Sequence, residues 1–114
     1  MDERILKWLF DIKMSIEEIN VFFENEEKDF FKYRNNTMLK RAVERNLEII
    51  GEATNRIVTR DTSYNDKITN AKAIIGLRNQ VIHAYDNISD ENIWSILTNH
   101  LPKLKIEVEN LIRE

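Results

Sequence analysis

Apolar residues recur along most of this 114-residue chain at alternating intervals of three and four. In the N-terminal part they stand at Ile5, Leu9, Ile12, Ile16, Ile19 and Phe23. An α-helix turns about 100° per residue, so this spacing places them in one stripe on a helix face. The chain has only two glycines and one proline, too few for the tight turns of a β-rich fold. The pattern predicts long amphipathic helices and no strand.

We predict four main helices, with a short extra helix after the first. Their approximate residues are 2–23, 24–36 for the short helix, 36–57, 69–85 and 89–111. Pro102 falls inside the last pattern and should kink that helix or divide it in two. Short connections between such helices favour antiparallel neighbours. The expected fold is all-α, an up-and-down four-helix-type bundle in a single domain of residues 1–114.

The composition narrows the class of protein. The chain lacks cysteine, which excludes a disulfide framework and a thiolate metal site. No apolar run approaches the length of a transmembrane span, and the first residues are already charged, so we expect a cytoplasmic protein without membrane contact. The net charge is −3, yet residues 34–60 hold six basic and three acidic side chains. These form either an ordinary solvated face or a modest basic strip within an acidic frame.

Nothing in the sequence predicts a metal or a cofactor. His83 and His100 lie in different predicted helices, and neither has a carboxylate or a histidine at the close spacing of a helical metal site. Glu48 and Glu52 are four residues apart, but no Glu-x-x-His accompanies them. With two glycines, no glycine-rich phosphate loop can be built. We therefore expect neither a metal nor a cofactor, and we assign His100 no role.

The stretch "GLRNQVIHAYDN" (76–87) places Arg78, His83 and Tyr85 in an otherwise apolar helical segment. A helical offset of five turns the positions of Arg78 and His83 about 140° apart, so they flank the helix. His83 lies in the last helical turn, where the helix dipole favours the imidazolium form. An arginine for phosphate and a histidine that exchanges protons at neutral pH are the minimum parts of metal-free RNA cleavage.

The alternative interpretation of this stretch is structural. His83 would then be hydrogen-bonded near a helix end, and Arg78 would pair with an acid. On the catalytic interpretation, one histidine per chain leaves cleavage short of a second proton-transfer group. A two-fold dimer would supply that group by placing two copies of the segment face to face.

"RNQVIHAY" resembles the Arg-x4-His-x-Tyr signature of the HEPN superfamily, specifically of the HepT-like toxins encoded beside a minimal (MNT-type) nucleotidyltransferase. Two further blocks resemble the family in the same order, "LKRAVERNLEIIGEA" (39–53) and "ENIWSILTNHLPKL" (91–104). Family members often carry Pro-Trp just ahead of the active-site helix, where this chain has "KITNAKAIIGLRN".

The resemblance implies a two-fold homodimer of helical bundles that cleaves RNA without metal at a cleft on the dimer interface. By position, Arg78 and His83 would be the catalytic pair, and Asn79 the supporting polar residue. Tyr85 would be the residue that the nucleotidyltransferase antitoxin adenylylates to silence the toxin, because a bulky anionic nucleotide would block RNA. Asn46 and Glu52 fall in the second-helix signature without an assigned chemistry.

A second function stays open. The chain could be a non-catalytic helical module that docks the nucleotidyltransferase and assists its substrate binding. The two hypotheses differ in what His83→Ala does, since only the first expects a loss of RNA cleavage. A purely structural bundle, the third possibility, would tolerate substitution at both Arg78 and His83.

Overall fold

The computed structural model describes residues 1–24, 29–83 and 90–114, and within 78–83 it describes the helical backbone without the side chains. The described residues form seven α-helices and one π-helical segment, with no strand among them. The α-helices are α1 (Glu3–Phe22), α2 (Phe30–Arg34), α3 (Thr37–Arg60), α4 (Tyr64–Lys67), α5 (Ala71–His83), α6 (Asp90–Ser95) and α7 (Leu101–Arg113). The π-helical segment is Ile96–His100, between α6 and α7. The all-α prediction is confirmed.

Three helices begin where a short polar side chain can accept backbone hydrogen bonds. The Asp2 carboxylate accepts from the N–H groups of Arg4 and Ile5, and Asn36 accepts from Leu39 at 3.0 Å. Asp29 caps the short α2 in the same way. Such caps satisfy backbone donors that a helix start leaves without partners.

The main helices pack in the spatial order α5, α3, α1, α7. Helix α1 packs against both α3 and α7, and α5 packs against α3. The predicted apolar stripe of α1 is buried along its whole length, together with matching stripes of α3 and α7. Helices α5 and α7 also approach each other, and a groove of about 380 Å³ lies between them. We call it the α5–α7 groove; it is lined by Ile74, Leu77, Ile96, Leu101 and Leu104, with Ile50 at its base.

The expected division of the last helix is confirmed, and the structure locates it just before Pro102. Proline has no N–H to donate to the carbonyl of Thr98, and its ring crowds that carbonyl. The chain widens there into the π-helical segment, in which the Leu101 N–H donates to the Ile96 carbonyl. Pro102 then stands in the first turn of α7, where proline is tolerated.

Helix α4 lies between the predicted helices 36–57 and 69–85, where the sequence predicts none. The Asp61 carboxylate accepts hydrogen bonds from the Ser63 N–H and hydroxyl, which lower the pKa of Asp61. Tyr64 is buried, and the Lys67 ammonium lies 4.4 Å from its ring centre. Burial of one aromatic ring therefore orders a turn that the polar composition does not predict. Within the described residues, no helix is long and apolar enough to cross a membrane.

Candidate active site

Helix α5 carries the predicted catalytic pair on a regular backbone. Both Arg78 and His83 lie within its helical range, so the expected five-residue helical offset between them is present. That offset corresponds to a rise of about 7.5 Å and a rotation of about 140°. Asn79 is also in this helix, whereas Tyr85 lies outside the described residues.

The helical register places the two positions on different faces of α5. Arg78 stands seven residues after Ala71, and His83 stands seven residues after Gly76, and residues seven apart share a helix face. Ala71 is buried, whereas Gly76 is half-buried. The position of Arg78 therefore lies in line with the face of α5 that meets the bundle, and that of His83 with a more open face.

The face marked by Gly76 is open. A Cβ atom added at Gly76 would meet nothing within 4 Å among the described residues, and the backbone there has no positive φ. Glycine in a helix interior costs about 1 kcal/mol relative to alanine. Neither strain nor crowding within the described chain explains the residue. Glycine at this position would instead allow another molecule to approach the helix closely.

The start of α5 is anchored to α7. The hydroxyl and N–H of Thr69 both donate to the Glu107 carboxylate, at 2.6 and 3.2 Å. Asn70, just before the helix, has φ of 60°, a left-handed conformation that asparagine tolerates better than most residues. Ile68 and Ala71 are buried on either side. Hydrogen bonds between the residue two positions before α5 and a side chain of α7 therefore hold the start of α5.

The chain beyond α5 is anchored again where α6 begins. The Lys40 ammonium lies 3.2 Å from the Asp90 carboxylate, and both side chains are about three-quarters buried. One turn later, Trp94 packs against Tyr33, with 5.5 Å between ring centres. Burial and the charges of Asp90 and Glu44 raise the pKa of Tyr33. These contacts join α6 to α2 and α3, so the chain is held on both sides of the segment that carries Tyr85.

The basic residues of α3 do not form a free cationic strip. Arg41, Arg45 and Arg56 are exposed on one side of the helix, but each pairs with a glutamate of the same helix, at 2.9 to 3.1 Å. Surface pairs of this kind contribute little to stability, but they offset the positive charge. The structure favours the solvated-face interpretation of this charge pattern.

The structure also locates three other residues that the sequence analysis named, Asn46, Glu52 and His100. Asn46 is buried, and its amide donates to the Ala42 carbonyl at 3.0 Å, one turn back in α3. Glu52 accepts from Arg56. His100 is exposed at the end of the π-helical segment and lines the α5–α7 groove.

Sequence reasoning missed the Thr69–Glu107 and Lys40–Asp90 pairs. Their members are 38 and 50 residues apart, and no local pattern joins them.

Comparison with known proteins identifies the family. The family model described as "Ribonuclease HepT-like" matches residues 12–111. The chain belongs to the HepT-like ribonuclease family. This membership agrees with the signature blocks at 39–53, 76–85 and 91–104, which all lie inside the matched range.

Curated relatives cover nearly the full length of this HepT-like chain. The protein named "Putative RNase MJ1380" of Methanocaldococcus jannaschii is 38% identical over 112 residues, which cover 96% of this chain and 98% of that protein. "Putative RNase MJ0125" of the same organism is 30% identical over an alignment that covers 100% of this chain and 97% of that protein. No solved structure gives a significant match.

Proposed function

We propose that this protein is a metal-independent endoribonuclease in which two copies of α5 form one cleavage site. The observation that carries the proposal is the register of α5: His83 shares a helix face with Gly76, where an added Cβ would meet no described atom within 4 Å. Membership of the HepT-like ribonuclease family supports RNA as the substrate.

The proposed reaction is internal transesterification. The 2′-hydroxyl attacks the adjacent phosphorus, the new O–P bond closes a 2′,3′-cyclic phosphate, and the bond to the 5′-oxygen breaks. One His83 accepts the proton of the 2′-hydroxyl, and the His83 of the second copy donates a proton to the leaving 5′-oxygen. Arg78 offsets the charge that develops on the phosphoryl oxygens, and Asn79 supports it by hydrogen bonding.

The experiment that tests the proposal is incubation of purified protein with single-stranded RNA in the presence of EDTA, followed by analysis of the product ends. We expect cleavage with 2′,3′-cyclic phosphate and 5′-hydroxyl ends. Cleavage that requires a divalent cation, or that leaves 3′-hydroxyl ends, would refute the mechanism. Absence of cleavage would favour the non-catalytic docking module.

Gly76→Leu should separate folding from assembly. Leucine ranks just below alanine as a helix former, and glycine is about 1 kcal/mol less favourable than alanine, so with open space at the Cβ position unfolding should need slightly more denaturant. The same side chain should prevent close approach of a second α5. We expect a monomer by light scattering and loss of RNA cleavage.

The matched control is Gly76→Ala, which adds one methyl group to the same open face and should keep most of the dimer. If Gly76→Leu remains dimeric and fully active, the proposed interface is wrong.

We further propose that the protein acts as the toxin of a pair whose antitoxin is an MNT-type nucleotidyltransferase, which adenylylates Tyr85. Transfer of AMP from ATP to the tyrosine oxygen releases pyrophosphate and places a phosphodiester charge two residues from His83. The added group should block RNA by charge and by volume. The Arg-x4-His-x-Tyr spacing of residues 78–85 supports this, because it places Tyr85 two residues after His83.

The test of this pairing is incubation of the protein with the nucleotidyltransferase encoded beside it and ATP. Mass spectrometry should find AMP on Tyr85, and RNA cleavage should fall in proportion. Tyr85→Phe should retain cleavage and resist silencing. Silencing of the Tyr85→Phe variant to the same extent would show that the modified residue lies elsewhere.

A further inference from the structure

The α5–α7 groove is a recess that the described residues form beside the helix with the proposed catalytic residues. It extends between two helices to the α3 side chain of Ile50, and its volume of about 380 Å³ falls within the range of small-molecule sites, roughly 300–1,000 Å³. Two or three side chains of a partner, or one nucleotide, would fill such a space. A whole partner helix is too large for it.

The floor and the rim of the groove differ in chemistry. The floor is apolar, with Ile74, Leu77 and Leu104 among its residues. Hydrogen-bonding groups stand around it, among them Asn70 and Ser95. An apolar floor with polar groups at the edge suits a flat heterocycle, whose faces are apolar and whose edge carries donors and acceptors.

The rim also carries charged side chains. Lys103 is exposed there. Among the described lining residues Glu107 is the acidic one, and its carboxylate accepts two hydrogen bonds from Thr69. The Lys103 ammonium can therefore contact an anionic group of a ligand whose apolar part lies in the groove.

The groove is lined in part by the helix that carries His83. Among its described lining residues on α5, Leu77 stands six residues, or about 9 Å along the helix, before His83. A base held there would belong to a nucleotide close to, but distinct from, the one that is cleaved. Single-stranded RNA is usually recognised through such splayed bases.

We propose that the α5–α7 groove binds one base of the RNA strand near the scissile phosphate, with Lys103 beside the adjoining phosphate group. This inference rests on the proposed ribonuclease function and adds a source of sequence preference to it.

The test uses the four ribonucleoside 5′-monophosphates as probes on the wild-type protein, with binding followed by amide chemical shifts in NMR. Because binding needs no catalysis, this measurement stands apart from the cleavage assay. We expect shifts at Leu77, Ile96 and Lys103, with at least one nucleotide preferred. Absence of binding by all four nucleotides, or shifts confined to the Arg45–Arg56 face of α3, would overturn the inference.

Two variant pairs sharpen the test. Lys103→Gln should weaken binding about two- to fivefold, whereas Lys105→Gln, the same charge change outside the groove lining, should not. Ser95→Phe should fill the groove and weaken binding at least about tenfold, whereas Thr98→Phe places the same ring on an exposed position outside the lining.

In the cleavage assay, Ser95→Phe should also change the preferred cleavage positions while the protein remains a dimer by light scattering. Equal effects of the two members of either pair, or a Ser95→Phe variant that is monomeric but binds nucleotide normally, would contradict a base-binding groove.

Discussion

Replacing His83 by alanine is expected to lower the rate of RNA cleavage by about 10² to 10⁴-fold, the usual contribution of a positioned proton-transfer group. In the proposed dimeric cleft the change removes both copies of the imidazole, so both proton transfers lose their side chain. His83 is at the C-terminal end of α5, in helical register with half-buried Gly76. We therefore expect the thermal unfolding midpoint and the dimer mass to stay close to those of the wild type.

The same variant separates the candidate functions. Under the docking-module hypothesis the wild-type protein does not cleave RNA, so His83→Ala has no cleavage activity to lose. Under both hypotheses, binding to the nucleotidyltransferase should persist. If the His83→Ala variant cleaves RNA at the wild-type rate, His83 does not take part in the reaction.

Arg78→Ala is expected to lower the cleavage rate by about 10² to 10³-fold, similar to removal of a group that stabilises developing charge in other enzymes. Arg78→Lys should recover part of this loss, since lysine retains the charge but not the paired donors of a guanidinium. The measurement is single-turnover cleavage at saturating protein, which separates the chemical step from RNA binding.

The register of α5 makes stability the deciding control for this variant. Arg78 is in line with buried Ala71, so a structural arginine is the competing explanation. The catalytic role predicts an unfolding free energy within about 0.5 kcal/mol of the wild type. Arg4→Ala, an exposed arginine of α1, should change neither activity nor stability. Loss of stability in Arg78→Ala, with wild-type cleavage by the folded fraction, would assign Arg78 to the bundle.

Most of the helices could be predicted from the sequence because their apolar positions follow a single period. The stripe of α1 is such a local signal, and the structure confirms it. Pro102 predicted the division of the last helix because proline always removes one donor. The π-helical geometry could not be predicted, because it depends on which backbone hydrogen bonds form around the proline, such as that from Leu101 to Ile96. Helix α4 depends on burial of Tyr64, which no local pattern announces.

The site was predictable to a smaller extent. Spacing gave the helical offset of Arg78 and His83, and the family signature gave their roles as a hypothesis. The open face at Gly76 follows from the packing of α5 on α3, which requires the three-dimensional arrangement. The Lys40–Asp90 ion pair could not be predicted from the sequence, because its two residues are 50 positions apart in the chain.

The most direct test of the two-copy site is the activity of a heterodimer of one wild-type chain and one His83→Ala chain, purified through two different affinity tags. If both histidines act in one cleft, this heterodimer should cleave RNA almost as slowly as the His83→Ala homodimer. Retention of about half of the wild-type rate would mean that each chain carries a complete site, and it would contradict the account.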